Sequence, residues 1–474
     1  MADRAAIKIR RQILDVEVEG TESVGLALQH SLPTLCTEVL SPTLESALAR
    51  FDPGDAYLYV EHIAIDLTSN LERLGADLTE AVERGVVDYF LRNPPTRSES
   101  TAAGRPDEVR RRTDAETIDE ALVAFLRTGR LPWSFRVPLG TRLEQMVLNT
   151  WALVDTEPAP PPRTRVLLME VLALSTARAR LVIQFTPDFA TAVLRSLSPR
   201  VAAGLTEVLR TVGTSDSPSP VKVKFTRKLW DAALAAAADG SEHWSGRAEL
   251  IETAWRSMKP DERHDPDFVN LVEGHWPGLT KQAASLLADK DLETSQPVLS
   301  SSRIDATEES EGILVANAGI VLLHPFLTRL FEALGIVVND QLLDPNRALC
   351  LLHFLSTGEH TAPEHQLTVA KVLCSVPLEE PVEAEVGLTT SDMDEANALI
   401  QAAISHWEAL LNTSPDALRG EFLTRPGQLS LDDEGDWLLR VETRTVDIML
   451  DQLPWGISMV KLPWMNRLIR VEWR

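Results

Sequence analysis

The sequence predicts a mainly α-helical, multi-domain protein with α+β terminal domains, in which a helical middle region precedes a C-terminal helical domain ending in short β-strands. Three observations carry that reading. Apolar residues recur every three or four positions from Val166 to about Ala288, the spacing of helices with one buried face. Near both ends the pattern changes to period two, in IKIRRQILDVEV at 7–18, in 57–67, in 437–441 and in 469–473. Polar stretches rich in Pro, Gly and Ser separate these regions, and 474 residues exceed the size at which a single core stops growing.

Residues 1–92 read as a small α/β domain. One or two short strands within 7–18 lead to a helix that carries Val24, Leu28 and Leu32 and is capped by Ser23. Ser41-Pro42 opens a second helix, with serine as the cap and proline in the first turn. A strand over 57–67 places Ile63, Ile65 and Leu67 on one side, and 71–91 closes the domain as a helix. Asp66, at the strand end, reads as a helix cap in preference to a catalytic group, because no His, Cys or second carboxylate accompanies it. Residues 93–117 contain almost no large apolar side chain and read as a flexible linker, unable to offset the entropy of ordering.

The helical middle region, 118–288, begins with an amphipathic helix from Ile118 to Leu126 that ends at Gly129. Leu131-Pro132-Trp133 follows, with Trp133 more readily folded onto its own helix than offered to a partner. A Pro-rich break at 157–163 should be extended. Helices are expected around 166–178, 187–196, 199–212, 226–238, 245–258 and 266–288, with VKVKF at 221–225 as the one candidate strand. No heptad persists long enough for a coiled coil. Residues 289–311 form a second polar linker.

The C-terminal domain, 312–474, has the clearest local signals and is expected to fold by itself. Asn317-Ala318-Gly319 turns the chain into a bend, and Pro325 starts a helix with Phe326, Leu327, Leu330, Phe331 and Leu334 that exits at Gly335. His324 reads as a core or capping histidine. Asp344-Pro345 starts a helix that Gly358 stops, and Pro363 starts the next, with Leu367, Ala370 and Cys374. An acidic loop, 379–394, precedes a helix whose Ala396, Leu399, Ile400, Ala403, Trp407, Leu410 and Leu411 share one face. Ser414-Pro415 begins another, and the alternating strands 437–441 and 469–473 finish the domain. Five of the eleven tryptophans lie in the last 75 residues, which makes core, more than subunit contact, their expected role.

With 70 acidic against 46 basic side chains, the formal charge of −24 repels nucleic acid and anionic membranes. The basic runs at 8–11, 110–112 and 222–228 lack interleaved aromatics and read as solvated faces. No run reaches the ~18–20 apolar residues of a membrane helix. The start shows no secretory signal, so cytoplasmic residence is expected. Cys36, Cys350 and Cys374 are too few and too scattered for a disulfide framework or a metal-ligand pair. No phosphate-binding loop, nucleophile elbow or zinc-protease pair is present, and neither a cofactor nor a catalytic residue is expected. The nearest approach to a metal site, His353, His360, Glu364 and His365, is interrupted by a proline and an extra residue that keep the two imidazoles of 360 and 365 off one helix face.

A family resemblance lies in the same region. NAGIVLLHPFLTRLFEALG from Asn317, RALCLLHFLSTG at 347–358, EHQLTVAKVLCSVP at 364–377, HWEALLNTSPDALRGEFLTRPGQL at 406–429, WLLRVE at 437–442 and PWGISMVKLPWMNRLIRVEW at 454–473 resemble the C-terminal domain of contractile injection system tape measure proteins. These belong to phage-tail-like particles that some bacteria assemble and release. VEHIAIDL at 60–67 and FLRTGRLPW at 125–133 are similar to a lesser degree, and the family's Leu-Cys-Gly run is here Leu373-Cys374-Ser375. The resemblance marks Asn317, Gly319, Pro325, Phe326, Gly358, Trp407, Arg419, Phe422, Trp437, Pro454, Trp455, Pro463, Trp464 and Trp473 as motif residues for structure or partner contact. It implies a non-enzymatic component that acts in inner-tube assembly and length control. Implied partners are tube, baseplate or cap subunits, with self-association a further option; assembly takes place in the cytoplasm and retention in the released particle stays open. An assembly chaperone, cap or baseplate adaptor with the same terminal domain is the alternative, and a metal-dependent hydrolase the lower one.

Overall fold

Helices make up most of the protein and short strands a minor part, as the apolar spacing predicts. The computed structural model describes residues 7–473 except 8, 10, 11, 52–55, 61, 95, 98–109, 139–140, 153–158, 214–218, 241–243, 277–311, 411–412 and 433. By its contacts the chain divides into two compact units, Met1–Glu120 and Ala121–Arg474.

In the first unit, α1 (Glu22–Leu35) runs through a π-helical turn, Cys36–Leu40, directly into α2 (Ser41–Ala49). The helix starts after Thr21, so neither Ser23 nor Ser41 is a cap; both lie inside helical backbone. The wide turn sits just ahead of Pro42, which has no N–H to donate and whose ring would crowd the carbonyl four residues back. Next, α3 (Leu74–Arg92) sets Val82, Val86 and Phe90 against Leu40 and Ala47, with Phe90 stacked on Phe51 at 4.2 Å. The sheet of this unit has the order β1-β3-β2, from β1 (Ala56–Tyr59), β2 (Thr96–Arg97) and β3 (Arg110–Thr113). Two parts of the stretch expected as a linker are therefore strands: β3 pairs with β1 and β2 with β3, each satisfying backbone N–H and C=O groups of its neighbour. The rest of that stretch, 98–109, lies outside the described residues, and α4 begins at Asp114. Of the period-two segments in this unit, only 56–59 pairs among the described residues; 12–19 and 62–70 form no strand there. Alternation sets which side chains share a face, but a strand also requires a paired edge.

The unit boundary falls within α4 (Asp114–Thr128), which ends at Gly129 with φ +76°. The second unit continues with α5 (Leu143–Trp151), α6 (Pro162–Leu172), α7 (Ser175–Gln184), α8 (Pro187–Leu197), α9 (Pro199–Gly213), α10 (Pro220–Ala238), α11 (Arg247–Arg256), α12 (Pro260–Arg263) and α13 (Pro266–His275). One expected helix, 166–178, is two, separated where Leu174 turns extended. The candidate strand 221–225 is instead the first turns of α10. Ser219 caps it, Pro220 occupies its first turn, and Phe225, Leu229, Ala232 and Ala233 continue one buried helical face that overrides the local alternation. The helix expected over 266–288 ends at His275, and both its remainder and the 289–311 linker lie outside the described residues.

From residue 312 the elements are β4 (Ile313–Val315), a 3₁₀ turn Ala318–Leu323, α14 (His324–Ala333), the hairpin β5 (Val337–Val338) and β6 (Gln341–Leu342), α15 (Pro345–Thr357), α16 (Thr368–Leu373) and α17 (Thr390–His406). Then come α18 (Pro415–Leu418) with a π-helical turn Arg419–Leu423, β7 (Gly427–Leu431), β8 (Trp437–Val441), a 3₁₀ turn Thr445–Gln452, β9 (Met459–Val460) and β10 (Ile469–Glu472). Asp344 and Ser414 accept the N-cap bonds expected of them, and Gly358 ends α15 at φ +78°. The strands form one sheet in the order β4-β7-β8-β10-β9, with β8 and β10 parallel and the other pairs antiparallel. Its inner face, including Leu429, Leu439 and Ile469, closes the largest core of the molecule. The segments 121–276 and 312–473, expected as separate domains, belong to one compact unit.

Candidate functional site

The motif residues converge on the core that runs from Ile313 to Trp473. Asn317 is buried and donates to the Gln366 carbonyl at 3.3 Å. At Gly319 a Cβ would lie 1.7 Å from the Phe422 carbonyl oxygen, so only glycine lets the 3₁₀ turn touch the π-helical turn. Pro325 occupies the first turn of α14, and Phe326 meets Trp455 edge-on at 5.1 Å. Arg419 lies beside Gly358 and donates to the Leu355 carbonyl, Asp416 and Asn397.

The tryptophans are tied at both ends. Trp407, 1% exposed, donates to the Met449 carbonyl at 3.1 Å and packs edge-on against Phe422 at 4.9 Å. It is the extended residue that ends α17, not a member of a continuous helix face, and Leu411 lies outside the described residues. Trp455 donates to the Leu322 carbonyl, Trp464 to that of Leu373 while stacked on Phe331, and Trp473 to Asp447. Trp437 belongs to the inner face of the sheet. Pro454 and Pro463 are exposed. Ser375, where the resemblance leads one to expect glycine, adopts φ +53° and so makes the tight turn. Its left-handed backbone costs ~1–2 kcal/mol. Its Oγ accepts from the Asn466 N–H at 3.1 Å, which offsets part of that strain.

Two clusters of buried charge were not legible as motifs. In the first, Glu364 is fully enclosed between Arg180 of α7, at 2.9 Å, and Lys371 of α16, at 2.7 Å. Arg180 also donates to the Leu126 and Glu379 carbonyls, and Lys371 to those of Leu378 and Glu380. Gln184, one turn beyond Arg180, donates to the Val382 carbonyl and accepts from the Glu364 N–H. In the second, Arg425 grips Asp447 through two bonds of 2.7 and 3.1 Å and spends its other N–H groups on the Glu421 and Glu442 carbonyls. The available sequence signal was a charged residue in phase with an apolar helix face, as Arg180 is with Ala177 and Leu181.

These groups are held inert. Burial pushes the Lys371 ammonium below its ordinary pKa against the opposing pull of Glu364. Burial lowers His353 and His365 to about 4 and raises the Cys350 and Cys374 thiols, so the imidazoles stay neutral and the thiols protonated near neutrality. His324, half-buried, is hydrogen-bonded to the Val321 carbonyl at 2.9 Å. His360 lies exposed beside Phe354, and Glu364 is committed to its two cations. Among the described residues no three His, Cys, Asp or Glu side chains are grouped to hold a metal ion, and no helix is long and apolar enough to cross a membrane. Asn317, Gly319, Trp407, Phe422, Trp437, Trp464 and Trp473 thus belong to a packed, hydrogen-bonded core, while Pro325, Pro454 and Pro463 are exposed.

A family model described as contractile injection system tape measure protein matches residues 5–473. The chain belongs to that family. No curated protein and no solved structure matches it. Membership in the tape measure family covers the whole architecture, including the N-terminal unit, where the resemblance in the motifs was weakest. It makes the protein a structural component of a contractile injection system.

Proposed function

We propose that this tape measure protein defines or nucleates one terminus of the inner tube more than it measures tube length. The observation that carries the reading is the brevity of its helices beside the compactness of its units. A literal ruler gains ~1.5 Å per residue, so the fully helical chain would reach ~700 Å. The longest described helices, α3 and α10, have 19 residues each, and residues 121–474 fold back into one compact unit. The buried Arg180–Glu364 pair, 184 residues apart in sequence, opposes extension, because pulling the partners apart exposes a desolvated charge cluster. Tube, baseplate or cap subunits are the partners, met by outward motif residues such as Pro454 and Pro463 together with the exposed Ile448 and Met459.

The test inserts ~60 helix-forming residues between positions 277 and 311 and scores particle length by electron microscopy. At ~1.5 Å per residue a ruler lengthens the tube by ~90 Å with a narrow distribution, which would overturn the proposal. Unchanged length supports it. The alternative, an assembly chaperone, predicts that mass spectrometry of purified particles finds the protein absent.

A further inference from the structure

Charge is unevenly spread along the second unit. From Arg163 to Arg210, over α6 to α9, seven arginines stand against three acidic residues, whereas from Val372 to Leu418 nine acidic residues occur with no lysine or arginine, in a chain of formal charge −24. Part of each excess is cancelled inside the fold. Arg178 and Arg180 pair with Asp231 and Glu364, and Glu383, Asp392 and Asp416 pair with Arg227, Arg347 and Arg419. Arg195, Arg200 and Arg210 of the first stretch are exposed, and so are Glu380, Glu385, Asp394 and Glu395 of the second.

The two surfaces match in shape as well as in charge. Arg195, in the last turn of α8, and Arg210, in the last turn of α9, line an open groove of about 480 Å³ together with Ala202, Ala203 and Thr206. Glu207, the one acid in its lining, is paired with Arg247 of α11, so the groove keeps a positive rim. Small side chains let a second helix approach to an axis separation of ~8–10 Å. Such a helix is α17. Its N-terminal N–H groups are served by the capping box of Thr389 and Asp392, which leaves Asp394 and Glu395 exposed to solvent, with the exposed Ala398 one turn further along the same face. Two carboxylates followed by an alanine thus fit two guanidiniums beside an alanine-lined groove. Within one chain α17 packs on α14 and α15, whereas α8 and α9 pack on α10, so the match is made with a second copy.

We propose that the α8–α9 groove of one copy of this chain receives the acidic first turns of α17 of a second copy. The contact joins unlike patches head to tail, so it leaves a groove and a helix open at either end and repeats into a ring or a short stack. Exposed ion pairs are individually weak, which suits an assembly contact that fills once subunits are concentrated on a growing particle.

The test uses the full chain, with molar mass measured by sedimentation over a dilution series up to ~100 μM, where a micromolar contact is well populated. Three proteins are compared: the native chain, Arg195→Glu/Arg210→Glu, and Asp394→Lys/Glu395→Lys. The native chain should associate, and each variant should need a ~10-fold or more higher concentration, since acid then faces acid in the first and base faces base in the second. An equimolar mixture of the two variants should associate again, because the reversed groove takes the reversed helix and the native groove the native helix. Native association should also weaken as salt rises from ~50 to ~500 mM, a measurement that needs no variant. All substituted side chains are exposed, so circular dichroism should be unchanged; Arg195→Gln/Arg210→Gln, which only removes charge, should weaken association too and serves if the reversed groove does not fold. A native chain that stays monomeric, a mass indifferent to salt or to the groove charges, or a mixture that fails to associate overturns the proposal. Association lost in the groove variant but intact in the α17 variant overturns it as well, and makes a different acidic segment the occupant.

Discussion

Replacing Glu364 by alanine isolates the charge cluster that ties α7 to the C-terminal elements. Glu364 and Arg180 have fully buried side chains and Lys371 is 2% exposed, so removing the carboxylate strands two cations away from water. Breaking a buried pair by deleting one partner costs ~3–5 kcal/mol, more than the packing lost with a short side chain. For a unit of this size that corresponds to a fall in Tm of roughly 5–10 °C. Differential scanning calorimetry and urea unfolding of the intact protein both report it. Lys371 is already pushed down by burial, and without Glu364 its folded pKa falls further. The unfolded lysine then binds more protons than the folded one, so the deficit should be largest near neutrality and shrink as pH rises toward the ordinary lysine range. The control replaces all three charges, Arg180→Met, Glu364→Leu and Lys371→Met, and should recover most of the lost stability because no desolvated charge remains. An unchanged Tm for Glu364→Ala, or a triple variant as unstable as the single one, would refute the reasoning.

Other substitutions and conditions test the same core. A fragment of residues 312–474 keeps a complete hydrophobic cluster and the Glu364–Lys371 pair but loses Arg180; we expect it to fold, with a lower Tm than 121–474, and an unfolded circular dichroism spectrum would count against that. Trp407→Ala removes a 1% exposed indole and should cost ~3–5 kcal/mol in urea unfolding; a shift below ~1 kcal/mol would contradict its burial. Gly319→Ala, whose methyl would meet the Phe422 carbonyl oxygen at 1.7 Å, should cost ~3 kcal/mol by the same assay, whereas native stability would show that the two turns separate freely. His353 and His365 stay neutral in the fold down to about 4 from an ordinary 6.5, so the unfolded chain takes up their protons first. Stability should therefore decline as pH falls from about 6.5 to about 4, by up to ~3 kcal/mol per histidine, and a His353→Gln/His365→Gln variant should lose part of that slope.

Much of the local structure was determined by the sequence itself. Asp344-Pro345 with Gly358, Ser414-Pro415, and the alternations at 437–441 and 469–473 act through neighbours along the chain, so their elements form where their residues say. The runs that carry the family resemblance are of the same kind, caps, glycines and tryptophans close together along the chain. Tertiary structure decided what depends on distant groups. The alternation in 221–225 gave way to the helix phase of the residues after it, while 110–113, with nothing apolar to bury, became a strand on the edge of β1, and 96–97 in turn paired with 110–111. Glu364 opens a short 3₁₀ turn behind Pro363, where the sequence places a helix start, yet its energetic setting comes from Arg180 and Lys371. Caps and periods are read from residues a turn apart, whereas strand pairing and the desolvation of charge are set only when collapse brings together groups that the chain keeps far apart.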